Sequence, residues 1–277
     1  MSESPEKQRR GLSGLVLRTI TAALLGAVML AVVLWGRVIG LGLLMGLIAG
    51  LASAEFYGMV RREHRLPNEV FGVAAAVAMP VAAALWGRVG LTAVLTALIA
   101  ASLAWHVAFR RVRMVDTATT VFGAMYVGFM LGHLVLVREL DFGTELTLAV
   151  ILSVWANDVF AYLIGSSIGR HKMAPNISPH KSWEGFVAGA LGTVLVWIGV
   201  YFVSDPPISL VWLVVVGISL SMAAVIGDLA ESRFKREAGI KDSGTLLPGH
   251  GGALDRFDSM ILVSVVAYYF LVWAGVQ

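Results

Sequence analysis

Long apolar runs separated by short polar clusters dominate the chain, and each run is close to the roughly 20 residues that an α-helix needs to cross a bilayer. Nine such runs can be counted, at 15–35, 38–60, 69–86, 89–109, 118–137, 146–168, 185–203, 208–227 and 259–275. The pattern predicts an all-α, polytopic integral membrane protein with nine transmembrane helices. A polar tail at 1–14 precedes an N-terminal scaffold of five helices at 15–137. A C-terminal region of four helices follows at 146–277, with loops at 169–184 and 228–258. The gaps at Gly36-Arg37 and Gly87-Arg88 are short enough to be bends within longer helices, so the count needs a second test.

Charge supplies that test. With the amino terminus in the cytoplasm, nine spans put eighteen of the 21 Lys and Arg residues on the cytoplasmic side and leave Arg37, Arg88 and Arg138 opposite. That is the asymmetry expected of cytoplasmic loops, and adding or removing one span would scramble it for every later loop. The carboxyl terminus then lies on the far side. Composition agrees: 58% of residues are apolar and 14% charged, against about 25% charged in soluble domains. A soluble enzyme, a disordered chain and a nucleic-acid-binding basic domain are excluded, so the net charge of +3 reflects cytoplasmic loops and no nucleic-acid partner is expected. With no cysteine, thiolate chemistry and disulfides are excluded as well. Trp35, Trp86, Trp105, Trp183 and Trp212 fall near span ends, where an interfacial belt would put them.

The first half is rich in Ala, Leu, Val and Gly and reads as scaffold. The spacing of Gly40, Gly42, Gly46 and Gly50 marks a close helix contact, either within the chain or across a homodimer. No convincing internal repeat supports a transporter of the inverted-repeat kind.

Chemistry concentrates in the two long cytoplasmic loops. If the eighth span continues past the membrane surface as a helix, Asp228, Glu231, Ser232 and Lys235 share one face. Pro248-Gly249-His250-Gly251-Gly252 can bring backbone N–H groups close to an oxyanion. Asp255, Arg256 and Asp258 then lead into the last span. Carboxylates suit hard cations such as Mg²⁺, whereas Lys, Arg and glycine N–H groups suit phosphate oxygens, so the loop has the content of a magnesium–phosphate site. Asp158 lies inside the sixth span, where an ionised carboxylate costs about 3 kcal/mol on insertion scales and calls for a polar cavity and a partner. Glu55 reads as an interfacial carboxylate, and His106 and His133 as packing residues.

The run from Ser232 through Lys235-Arg236, Lys241-Asp242 and Leu247-Pro248-Gly249-His250-Gly251-Gly252-Ala-Leu-Asp255-Arg256-Phe-Asp258 resembles the signature of the phosphatidate cytidylyltransferase (CDP-diacylglycerol synthase) family. The likeness extends back through Gly227-Asp228-Leu-Ala-Glu231 and to Ser178-Pro179-His180-Lys181-Ser182-Trp183-Glu184-Gly185. At His180 and Ser182 the family commonly has lysine and threonine. Histidine at 180 is mostly neutral at pH 7, which makes Lys181 the better phosphate contact.

The resemblance implies that CTP and phosphatidate react to CDP-diacylglycerol and pyrophosphate, within the lipid bilayer of a bacterial inner membrane and on its cytoplasmic face. Mg²⁺ is the implied cofactor, with a second cation as an open option, and Asp228 and Asp255 are the implied metal ligands. Asp158, Lys235 and Arg256 complete the implied catalytic set. Ser178, Lys181, Arg236, Lys241, Asp242, His250, Gly251 and Gly252 are the implied substrate contacts. Two rivals remain at this stage: a CTP-dependent lipid or polyprenol kinase, which would release CDP, and an ion-coupled transporter built around Asp158.

Overall fold

The computed structural model describes residues 5–62, 66–244 and 251–277, with side chains from residue 19 onward. In chain order the elements are α1 (Pro5–Trp35), α2 (Arg37–Arg62), α3 (Glu69–Ala108), α4 (Met114–Ala124), a π-helical turn (Met125–Phe129), α5 (Met130–Glu139) and α6 (Gly143–Ile168). Strands β1 (Lys172–Ala174) and β2 (Ser178–Ser182) follow, then α7 (Trp183–Ser204), α8 (Leu210–Glu237) and α9 (Leu254–Trp273). The all-helical expectation holds except for this hairpin, which pairs Lys172 with Ser182 and Ala174 with Ser178 inside the 169–184 loop.

Apolar sequence makes helices here because lipid offers no partner to a backbone N–H or C=O, and a helix satisfies both internally. Polar residues set the starts. Asn68 accepts from Phe71 N at 3.1 Å, Ser182 from Gly185 N at 3.2 Å and Ser209 from Trp212 N at 3.3 Å, each quenching one of the free N–H groups of a first turn.

Seven of the described helices are long and apolar enough to cross a bilayer, where the hydropathy pattern predicts nine. The difference lies in two places. The described apolar part of α1, Thr19–Trp35, is shorter than a standard span, and α3 covers two of the predicted runs. Helical geometry breaks within α3 at Trp86 and at Gly87, whose φ of 58° only glycine adopts freely. Both ends of α3 meet α4: Asn68 N donates to Thr120 Oγ1 at 2.8 Å, and His106 Nδ1 lies 3.0 Å from Thr117 Oγ1. The helix therefore reverses at Gly87, and a Cβ on Gly90 would strike the Ala82 carbonyl. The α1–α2 junction repeats the same words, Leu34-Trp-Gly-Arg-Val38 against Leu85-Trp-Gly-Arg-Val89. At that junction Arg37 has a φ of 51°.

The glycine stripe on α2 is used inside the chain. A Cβ on Gly42 would meet Ala84 and Pro80, on Gly46 Val77 and Val81, and on Gly50 Val77. Small residues let α2 and α3 approach closely, and the stripe offers no argument for a homodimer.

Two boundaries matter for the site. α8 runs on to Glu237, beyond the apolar run that ends near 227, and α9 begins at Leu254, so Asp255, Arg256 and Asp258 are helical residues. Gly227 permits the crossing of these two helices, since a Cβ there would lie 2.7 Å from the Asp258 carbonyl oxygen.

Candidate functional site

α6, α7 and α8 are held together by a buried polar clamp. Ser221 Oγ donates to Asn157 Oδ1 at 2.7 Å, Asn157 Nδ2 donates to Asp158 Oδ1 at 3.4 Å, and Gly189 of α7 leaves room for the amide. Beside the clamp opens a cavity of ≈ 630 Å³ whose polar lining includes Asp158, Lys172, Ser178, His180, Lys181 and Asp228. Asp158 is exposed to this space, so its carboxylate faces a polar cavity, as its position in a span required. Lys181 Nζ makes an ion pair with Asp228 Oδ2 at 2.7 Å, and Ser232 Oγ donates to Asp228 Oδ1 at 3.2 Å. Asp158, Asp228 and Asp258 interact through charge with one another or with Lys181.

The hairpin that walls the cavity is anchored at its base. His171 Nδ1 lies 2.6 Å from Glu184 Oε1, and the His171 backbone N–H donates to the same carboxylate at 3.2 Å. Ser182 is the N-cap of α7 and also lines the cavity.

A second network lies along α8 and α9, outside the cavity lining. Lys235 Nζ sits between Glu231 Oε2 at 2.6 Å and Asp255 Oδ1 at 2.7 Å, with Glu231 fully buried. Asp255 also accepts from Ser243 N at 3.0 Å and Gly252 N at 2.8 Å, both on Oδ2. Gly251, at φ 82°, makes the turn that brings Gly252 N inward. Of the backbone N–H groups expected to cradle an oxyanion, that of Gly252 does so, and the oxyanions met at this turn are the chain's own carboxylates.

One of these carboxylates is Glu55, which the sequence reading placed at the membrane interface. It accepts from Ala253 N at 3.0 Å, Leu254 N at 2.8 Å and Ser243 Oγ at 2.9 Å, capping α9 from α2. Gly244 and Gly252 pack directly on it, and a Cβ at either would collide with the carboxylate. The first half is therefore more than scaffold. The only local signal was a lone acid near the end of an apolar run.

The predicted site residues thus fall into three sets. Asp158, Ser178, Lys181 and Asp228 meet at the cavity. Lys235, Asp255, Gly251 and Gly252 form the adjoining network, with Lys235 about two helical turns beyond Asp228 on α8. Arg236, Lys241, Asp242 and Arg256 lie exposed around it, and His250 lies outside the described residues. His133 is buried and packs on Phe129, Tyr268 and Tyr269, and half-buried His106 lies 3.0 Å from Thr117 Oγ1.

Carboxylate oxygens are the right donors for Mg²⁺, which usually takes one or two of them and completes its shell with water and substrate phosphate. No group of three His, Asp or Glu residues converges as a ligand set among the described residues. Asp228 fits such an ion best, since half of its partnership is an ammonium that a phosphate could draw away.

Over residues 16–274 the chain matches the cytidylyltransferase family. A phosphatidate cytidylyltransferase of Staphylococcus epidermidis is 36% identical over 250 residues, which is 89% of this chain and 95% of that one. Those of Staphylococcus saprophyticus and Bacillus subtilis are 42% and 38% identical over 153 and 149 residues. These shorter alignments span 58% and 55% of the two relatives, and 55% and 53% of this chain.

Proposed function

Because the chain belongs to the cytidylyltransferase family, we propose that it is a phosphatidate cytidylyltransferase, joining the cytidylyl group of CTP to phosphatidate and releasing pyrophosphate. The observation that carries this reading is the cavity of ≈ 630 Å³, which sets acids and bases side by side among apolar helices. A soluble nucleotide and a lipid head group can both reach such a place.

In the reaction a phosphate oxygen of phosphatidate attacks the α-phosphorus of CTP, and the bond to the pyrophosphate oxygen breaks. Little covalent chemistry falls to the protein, which aligns the partners and neutralises charge. Lys181 and Ser178 contact phosphate in the cavity, with Lys172 and His180 beside them. Asp158 keeps the α6 wall of the cavity polar. Lys235, Arg236, Lys241 and Arg256, with the Gly251–Gly252 backbone, Asp242 and His250, serve the nucleotide phosphates. Mg²⁺, when bound, would supply Lewis-acid neutralisation of phosphate oxygens. Asp228 and Asp255 would hold it, Asp228 by releasing Lys181 and Asp255 by giving up one of its present donors.

The membrane is the bacterial inner membrane in this proposal, crossed nine times with the cavity mouth toward the cytoplasm. The distribution of Lys and Arg supports that orientation.

The deciding experiment is pyrophosphate release from CTP by purified protein in mixed micelles, with and without phosphatidate, and with Mg²⁺ or EDTA. Release that requires both lipid and Mg²⁺ is expected. Appearance of CDP in place of pyrophosphate would overturn the reading in favour of a lipid kinase.

A further inference from the structure

Tyr126 has a hydroxyl that the described residues leave without a hydrogen bond. It stands in the π-helical turn Met125–Phe129, the one break in the run from α4 to α5. Such turns insert a residue into the helical register and recur at functional sites. Its ring is well packed, stacked on Phe122 with centroids 5.9 Å apart and edge-on to Phe234 at 5.6 Å. Phe56, the neighbour of Glu55, closes the same cluster at 6.0 Å. The hydroxyl is buried and has no hydrogen-bond partner among the described residues. Phenylalanine would fill this space equally well without burying an unpaired donor, so packing gives no reason for a tyrosine.

A candidate acceptor lies on the helix that Tyr126 packs against through Phe234. Glu231 is fully buried on α8, one turn before Phe234, and among the described residues neither of its oxygens makes a hydrogen bond of good geometry, although Lys235 Nζ sits 2.6 Å from one of them. Asp258, Glu231 and Asp228 all act electrostatically on the Tyr126 hydroxyl, but Asp258 already accepts from Ser259 N at 2.6 Å and Asp228 from Ser232 Oγ at 3.2 Å. A buried donor and a buried acceptor, both under-used, thus face one region from opposite halves of the chain.

Lys235 is also the cation that a substrate phosphate would draw away. Once it turns toward phosphate, Glu231 is left as a buried charge without a counter-charge, and such a charge needs a donor. We infer that Tyr126 is a positioning residue: its hydroxyl donates to Glu231 in the substrate-loaded state, freeing Lys235 to meet the substrate phosphates. The inference rests on the cytidylyltransferase reading of the site. It gives the π turn a purpose, since an uninterrupted helix would project the side chain at position 126 elsewhere.

The test is Tyr126→Phe in the full-length protein, assayed by pyrophosphate release in mixed micelles alongside thermal unfolding. Phe keeps the aromatic cluster and removes only the hydroxyl. A fall in kcat of about tenfold to hundredfold is expected, the factor that one hydrogen bond to a charged group carries. KM for CTP and phosphatidate should stay within about twofold, and thermal stability should be unchanged or higher, because the resting protein loses an unpaired buried donor. In a Glu231→Gln background the same change should have little further effect. Wild-type kcat in Tyr126→Phe, a drop in thermal stability that accounts for the lost activity, or losses that multiply with those of Glu231→Gln would each overturn the inference. If the unaltered protein released no pyrophosphate, the functional reading itself would fail, and that outcome is distinct from the other three.

Discussion

Replacing Glu55 by alanine should loosen the start of α9 without unfolding the bundle. The carboxylate is the shared acceptor for Ala253 N, Leu254 N and Ser243 Oγ, groups 188 or more residues away in sequence. Loss of an N-cap acceptor costs about 0.5–2 kcal/mol, loss of a negative charge at a helix N-terminus about 0.3–1 kcal/mol, and a side-chain hydrogen bond about 1 kcal/mol. Together they amount to about 3 kcal/mol of local stability, which raises the open population of this segment roughly a hundredfold. Glu55→Gln keeps one acceptor oxygen and the shape, so it should lie between alanine and the wild type. The measurement is amide hydrogen exchange of the 251–258 segment in detergent micelles, which reads local opening directly. Exchange there should accelerate about a hundredfold in Glu55→Ala, with α6 and α7 unaffected and nucleotidyl transfer reduced in parallel. Unchanged protection of 251–258 would refute the capping role, whatever happened to activity.

Other predictions address separate parts of the site. Asp228→Asn should lower pyrophosphate release by a factor of about a hundred or more, the scale of losing a group that acts on developing charge, and near-normal turnover in folded protein would remove Asp228 from the reaction. Lys181→Ala should raise the KM for CTP or phosphatidate more than it lowers kcat, and unchanged constants would take Lys181 out of the phosphate contacts. Lys235→Met removes the cation shared by Glu231 and Asp255 and leaves two carboxylates without a counter-charge, so thermal unfolding should show a loss of about 3–5 kcal/mol. Adding Glu231→Leu should recover stability but not activity. Gly252→Ala forces a methyl group onto Glu55 and Ser243 and should abolish activity, whereas Gly199→Ala, with open space around it, should be neutral or slightly stabilising by the melting temperature.

Much of this was legible along the chain. Membrane class and candidate spans follow from hydropathy, because lipid demands a helix wherever apolar residues run long enough. The two chemical loops are visible as the places where Gly, Asp, Lys and Arg gather between apolar runs. Asp158 was legible as a cavity residue for the same reason, since a carboxylate inside a span has few other ways to exist. These are local properties, decided by what a short window of residues can and cannot do in lipid or water.

Tertiary structure decided how each charged group is used. Asp228 and Asp255 look alike in sequence, yet one faces the cavity with a single lysine and the other is occupied by Lys235, Ser243 N and Gly252 N. Glu55 reads as an interfacial acid until α9 arrives with its free N–H groups, and Tyr126 reads as one aromatic among many until Glu231 is placed nearby. The glycine stripe of α2 fits a partner helix from any source, and only packing shows that α3 is that partner. A carboxylate's chemistry depends on which donors reach it, and those donors come from segments far apart in the chain, where no local pattern records the meeting.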